Sequence, residues 1–157
     1  MIKKILILVF ISQLLIACGF TPTYKVLENK KNINIHYEIE ADSSYIARQV
    51  LSSHIQNIEK SKAEFITKIK IIEKESAVNV KSSGSVDEYK IDILVNFEMF
   101  DISSNVLLFK SQSRGFANYD VSNSEYTNSL VQKEALENAL IEGIQLMDII
   151  IQSKITE

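Results

Sequence analysis

From Tyr89 to Phe100 the chain alternates without a break. Tyr89, Ile91, Ile93, Val95, Phe97 and Met99 fall on one parity, and Lys90, Asp92, Leu94, Asn96, Glu98 and Phe100 on the other. Successive side chains of a strand point to opposite faces, so this run specifies a strand with one apolar face and one mixed face. Asp101 to Asn105 follows as a short hairpin loop, and Val106 to Tyr119 reads as its antiparallel partner. The chain therefore has to build a sheet and cover one side of it.

The remaining segments supply both. Ile33, Ile35 and Tyr37 alternate with Asn34, His36 and Glu38, a first strand. Asp42, Ser43 and Ser44 offer an N-cap, and Ile46, Val50, Ile55 and Ile58 recur near helical spacing, which predicts a helix to about Lys60. Ala63 to Glu75 alternates again, with Phe65, Thr67, Ile69 and Ile71 on one face and Ile66, Lys68, Lys70 and Ile72 on the other. Residues 76–87, with Gly84 among serines, read as a hairpin connection. Ser122 or Ser124 can cap a long final helix with an apolar stripe of Leu130, Ala135, Leu136, Ala139, Leu140, Ile144, Met147, Ile150 and Ile151. The expected fold is α+β in the order β-α-β-β-β-α. Two helices pack on one face of a four-stranded, mostly antiparallel sheet, with the first strand free to pair at an edge or between the others.

The N-terminus carries a different signal. Lys3 and Lys4 precede the nearly unbroken apolar run Ile5 to Ile16, and Leu15-Ile16-Ala17-Cys18 ends in the only cysteine. About twelve apolar residues fall short of the ~20 that a helix needs to cross the hydrocarbon core, so the segment reads as an export signal with a lipidation box. The expectation is that residues 1–17 are removed and Cys18 is acylated. Residues 18–31, with the only proline at Pro22, are expected to form a tether, and 32–157 a single domain. Each buried methylene contributes about 0.8 kcal/mol, so two or more chains on Cys18 would hold the protein at a membrane. Gly19, rather than an aspartate, follows the cysteine and makes the outer membrane the expected destination.

Charge excludes one broad class. The chain carries 17 basic and 20 acidic residues, and loss of Lys3 and Lys4 with the signal makes the balance more acidic still. A nucleic-acid binder usually shows a net basic footprint; none is expected here. With Cys18 acylated no thiol remains for a disulfide or for thiolate chemistry. His36 and His54 are the only imidazoles and complete neither a zinc site nor a Ser-His-Asp set. Gly115 and Gly143 are isolated and form no phosphate loop. No cofactor, metal or catalytic residue is expected.

The stretch Leu15-Ile16-Ala17-Cys18-Gly19-Phe20-Thr21-Pro22-Thr23-Tyr24 resembles the start of the lipopolysaccharide-assembly lipoprotein family LptE as found in alphaproteobacteria, where a lipidated cysteine precedes Gly-Phe-x-Pro-x-Tyr. Tyr119 to Tyr126, ahead of the last helix, is similar as well. The resemblance implies a non-enzymatic outer-membrane lipoprotein. Such a protein plugs and helps to assemble the barrel LptD and binds lipopolysaccharide on its way to the cell surface, facing the periplasm and the barrel lumen. An auxiliary lipoprotein of an envelope lipid-transport ABC system, or a lipid-anchored envelope hydrolase, are the alternatives.

Candidate contacts with lipopolysaccharide are cations on strands. Lys68 and Lys70 share a strand face, Lys90 and Lys110 fall on neighbouring strands, and Arg114 offers a bidentate phosphate contact. The plain alternative is that they are solvated or edge-protecting side chains. Phe116 and Tyr119 read either as lumen anchors or as core and helix-packing residues. The apolar stripe of the last helix, with Ile149, Ile150 and Ile151 in succession, is wide enough to include a partner-contacting side.

Overall fold

The computed structural model describes residues 33 to 156. Strand β1 (Ile35–Ile39) leads into α1 (Tyr45–His54), a single 3-10 turn (Lys60–Lys62), then β2 (Phe65–Val80), β3 (Val86–Asp101), β4 (Leu107–Asp120) and α2 (Glu125–Thr156). The order is the expected one. The sheet runs β1-β2-β3-β4. β1 lies at an edge and parallel to β2, with Ile35 opposite Phe65 and Ile39 opposite Ile69, while β2, β3 and β4 form an antiparallel meander.

The odd-numbered face of the meander is the buried one. Ile69, Ile93, Val95, Phe97 and Met99 on the strands meet Ala139, Leu140, Ile144, Met147 and Ile151 of α2, all essentially inaccessible. Ala47, Val50 and Leu51 of α1 join the same core, so both helices lie on this face. Each such large apolar side chain contributes roughly 1.5–3 kcal/mol on burial, the term that holds the layers together. α2 crosses β4 at a very close approach. A Cβ added to Gly115 would stand 2.0 Å from the Ala139 carbonyl oxygen, and the hydroxyl of Ser113 donates to the Gly143 carbonyl at 2.6 Å.

Capping follows the sequence. The Ser44 hydroxyl accepts from the N–H of Ala47 at 3.1 Å at the start of α1. At α2 it is Ser124 that caps, accepting from the N–H of Thr127 at 3.4 Å, while Ser122 lies before the cap and has its backbone clasped by the Asn128 carboxamide.

Four expectations need correction. The first helix stops at His54 rather than near Lys60. The reason is tertiary: the Asn57 side chain accepts from the N–H of Tyr37 at 2.9 Å and donates to its C=O at 3.1 Å, and the Ile58 carbonyl bonds the His36 ring at 2.7 Å. Residues past Ile55 are spent closing the outer edge of β1. Second, β2 continues to Val80, so the connection shrinks to Lys81–Ser85, a turn closed by a 2.8 Å bond from Lys81 N–H to the Ser85 carbonyl, with Gly84 at φ +86°. Most of Ser76–Val80 is exposed, and ladder bonds to β3 rather than apolar burial extend it. Third, Leu130 of the apolar stripe is 54% exposed. Fourth, Phe116 is neither core nor helix-packing: it is 56% exposed on the opposite face of the sheet.

Candidate functional site

Among the described residues no helix covers the even-numbered face of the sheet. All five candidate cations lie there. The register sets Glu38, Lys68, Glu98 and Lys110 in one row across four strands, an alternation of charge sign. Asn96 lies between Lys70 and Gln112, and Leu94 between Ile72 and Arg114. Lys90 sits next to Asn118, two residues from Asp92. The strand parity that buries Ile93 and Phe97 therefore presents these side chains together.

The cations are not bare. Lys110 Nζ is 2.6 Å from Glu98 Oε1, Lys70 Nζ 2.9 Å from Glu40 Oε2, and Lys90 Nζ 3.2 Å from Asp92 Oδ2. The Glu40 carboxylate holds the Lys70 ammonium above its ordinary pKa. Arg114 Nε stands 3.7 Å from Asp92 Oδ1, an ion pair too long for a hydrogen bond, and that oxygen is buried without a hydrogen-bond partner. Lys68 caps the ring of Phe100 and Lys90 the ring of Phe116, each with Nζ 4.9 Å from the centroid. The lysine stems thereby cover aromatic surface while their ammonium groups stay at the water boundary.

Apart from Lys68, which rests on the Phe100 ring, the cations of this face are already held by carboxylates, so an anionic group would have to share them. It can also lie against another polar, charge-mixed surface with little unpaired charge to desolvate. Exposed pairs of this kind contribute about 0–1 kcal/mol each to stability, so the fold does not depend on them.

The other singled-out residues are dispersed. His36 bonds the Ile58 carbonyl, and His54, the last residue of α1, bonds the Val50 carbonyl at 3.0 Å. Among the described residues no cluster of His, Cys, Asp and Glu is arranged to hold a metal ion, and no helix is long and apolar enough to cross a membrane. Tyr119 lies on the helix side, stacked on Tyr89 at 5.5 Å with its hydroxyl donating to Glu75. Burial first, and then that carboxylate, push its pKa up. On α2 the exposed apolar residues are Leu130, Leu146 and Ile149, with Tyr126 near the start. Glu142 of α2 does something the sequence did not announce: its carboxylate accepts from the N–H of Phe116 at 2.9 Å and closes part of the outer edge of β4. Cys18, the apolar segment before it and Gly19–Tyr24 lie outside the described residues.

This architecture has solved counterparts. A protein of Caulobacter crescentus CB15, provisionally assigned as a lipoprotein, superposes with a TM-score of 0.60 at 16% identity over 78% of this chain and 90% of its own. Rare lipoprotein B of Shewanella oneidensis gives 0.51 at 16% identity over 78% and 93%, and a minor lipoprotein of Acinetobacter baumannii 0.56 at 13% over 76% and 90%. The fold is one that bacterial lipoproteins use. No family model matches the chain, and no curated protein matches it in sequence.

Proposed function

We propose that this protein is an outer-membrane lipoprotein of the LptE type, anchored through acyl chains on Cys18. It serves without catalysis as plug and assembly partner of an LptD barrel and contacts lipopolysaccharide in transit. The observation that carries the reading is the coincidence of the Leu15–Tyr24 motif with a fold shared, over nearly the whole length of the counterparts, with proteins described as lipoproteins. The helix-free sheet face supports it physically. A barrel lumen is polar, and a face on which Lys70, Lys90, Lys110 and Arg114 each have a carboxylate at hand can be enclosed there without stranding charge. In transit, phosphates of a lipid headgroup would meet Lys68 beside the Phe100 ring and share Lys90 and Arg114 with Asp92 by charge-assisted contacts.

The experiment is purification of the native, membrane-extracted protein with its partners. A barrel of the LptD type is the expected companion. An inner-membrane transporter complex in its place would assign the protein to an envelope lipid-transport ABC system instead. Mass spectrometry of the mature N-terminus checks the anchor, since an unmodified Cys18 would remove the lipoprotein half of the reading.

A further inference from the structure

Sheet edges expose rows of unpaired N–H and C=O groups, and folded proteins commonly close them. Here the outer edges of β1 and β4 are each closed at one point by a side chain, Asn57 on Tyr37 and Glu142 on Phe116. Among the described residues, the edge of β2 beyond the end of β1 has no such closure. Pairing with β1 covers only Phe65–Ile69, and the last bond across that edge runs from the N–H of Glu40 to the Ile69 carbonyl at 2.9 Å. In an antiparallel ladder alternate residues turn both backbone groups away from their partner strand. Ile69 turns its carbonyl toward β1, so Ile71, Glu73 and Glu75 turn their N–H and C=O to the same side, beyond the end of β1. No hydrogen bond to these groups occurs among the described residues.

The surroundings match a strand acceptor. On the helix side this edge adjoins a cleft of about 480 Å³ whose apolar lining is Ile46, Ile91 and Leu136, with Glu73, Glu75 and Lys133 among its polar lining. On the other side Ile72, 44% exposed, lies between Lys70, shared with Glu40, and Lys74, which the register sets opposite Asp92 but which forms no ion pair within 4 Å among the described residues. Strand addition draws affinity from main-chain bonds and specificity from pockets for alternate side chains, and both parts are present.

We propose that the edge of β2 from Ile71 to Ala77 receives an extended segment of a partner protein. Its acidic side chains face Lys70 and Lys74, and its alternate, apolar side chains enter the cleft. Charge argues against a second copy as the occupant. Symmetric antiparallel pairing of two such edges, centred on Glu73, Lys74 or Glu75, sets identical charges directly opposite each other, which is destabilising. The inference stands apart from the barrel reading, because it requires only a protein strand of the stated chemistry.

The probe is the capped peptide Leu-Glu-Leu-Glu-Leu-Glu-Leu, added at millimolar concentration to the full chain in detergent, with amide hydrogen exchange read residue by residue. Exchange at Glu73 and Glu75 should slow by about tenfold or more. A leucine–lysine peptide of the same length should bind about tenfold more weakly, and Lys74→Glu should reverse that order. N-methylation of the peptide at alternate amides should abolish binding in one of its two patterns, because only one set of amides faces β2. Unchanged exchange at Glu73 and Glu75, full binding by both methylated peptides, or an unreversed charge preference in Lys74→Glu would each overturn the proposal.

Discussion

Substituting Gly115 by alanine tests what seats the long helix. A Cβ there would meet the Ala139 carbonyl oxygen at 2.0 Å and the Gly143 nitrogen at 2.6 Å, both backbone atoms of α2. Carbon and oxygen approach comfortably to about 3.3 Å, so the helix has to retreat by roughly 1 Å. A gap of that size forfeits about a quarter to a half of each dispersion contact along the seam, and the seam holds the fully buried Ala139, Leu140, Ile144 and Met147. It also stretches the 2.6 Å bond from Ser113 to the Gly143 carbonyl. Overpacking and the weakened bond together cost about 3–4 kcal/mol, or roughly 10–15 °C in melting temperature for a domain of this size. Gly143→Ala is the control. Its Cβ would first meet the Val95 methyl Cγ2 at 3.1 Å, a side-chain atom that can give by a few tenths of an ångström. The helix-propensity gain of about 1 kcal/mol for alanine over glycine offsets that cost. Urea unfolding followed by far-ultraviolet circular dichroism measures both variants against the parent. A Gly115→Ala loss below about 1 kcal/mol, or a Gly143→Ala loss as large, would show that the close approach does not fix the helix.

Asn57→Ala leaves the N–H and C=O of Tyr37 without their partners at 2.9 and 3.1 Å; a loss of about 1–3 kcal/mol in urea unfolding and faster amide exchange at Tyr37 are expected. Glu38 is held below its usual carboxylate pKa of 4.5, chiefly by its hydrogen bond from Lys60. A depressed pKa gives stability that is present above pH 4.5 and is lost as pH falls further, so Glu38→Gln should flatten the acid limb of the stability profile. Tyr37 is shifted the other way, upward from 10.0, by burial and then by Asp148. Its contribution is complete below pH 10.0 and is lost above it, and Tyr37→Phe should extend stability to more alkaline pH. Replacing Lys68, Lys70, Lys90 and Lys110 together by alanine should weaken lipopolysaccharide binding in a direct binding assay while leaving the melting temperature within a few degrees, because exposed pairs contribute about 0–1 kcal/mol each. Unchanged binding would remove this face as the contact.

The elements that the sequence specified well are those whose own periodicity is buried. Ile91, Ile93, Val95, Phe97 and Met99 all face the core as the alternation requires, and the hairpin turn falls where Asp101–Asn105 placed it, with Asp101 accepting from Ser103 and Ser104. Where the pattern misled, a distant partner intervened. Ile55 and Ile58 fit helical spacing, yet Asn57 and the Ile58 carbonyl serve β1, some twenty residues earlier. Ser76–Val80 has little apolar burial to mark it as strand, and its backbone bonds to β3 leave no trace in the side chains. For the candidate site, parity alone puts Lys68, Lys70, Lys90, Lys110 and Arg114 on one face. The pairing of Lys70, Lys110, Lys90 and Arg114 with Glu40, Glu98 and Asp92 required the tertiary structure.

The sequence by itself determined the order of elements, which face of each strand turns inward, and the expectation of export and lipidation that rests on residues 1–18. These are local properties, set by the two-residue period of a strand, the spacing of a helix, and the length and flanks of an apolar run. Tertiary structure alone decided that Gly115 and Gly143 face each other across the helix–sheet seam, that side chains close the edges at Tyr37 and Phe116, and that β2 outruns the β1 strand it pairs with. Each depends on how far one element slides along another. That offset comes from the summed packing of the whole core, and no window of neighbouring residues contains it.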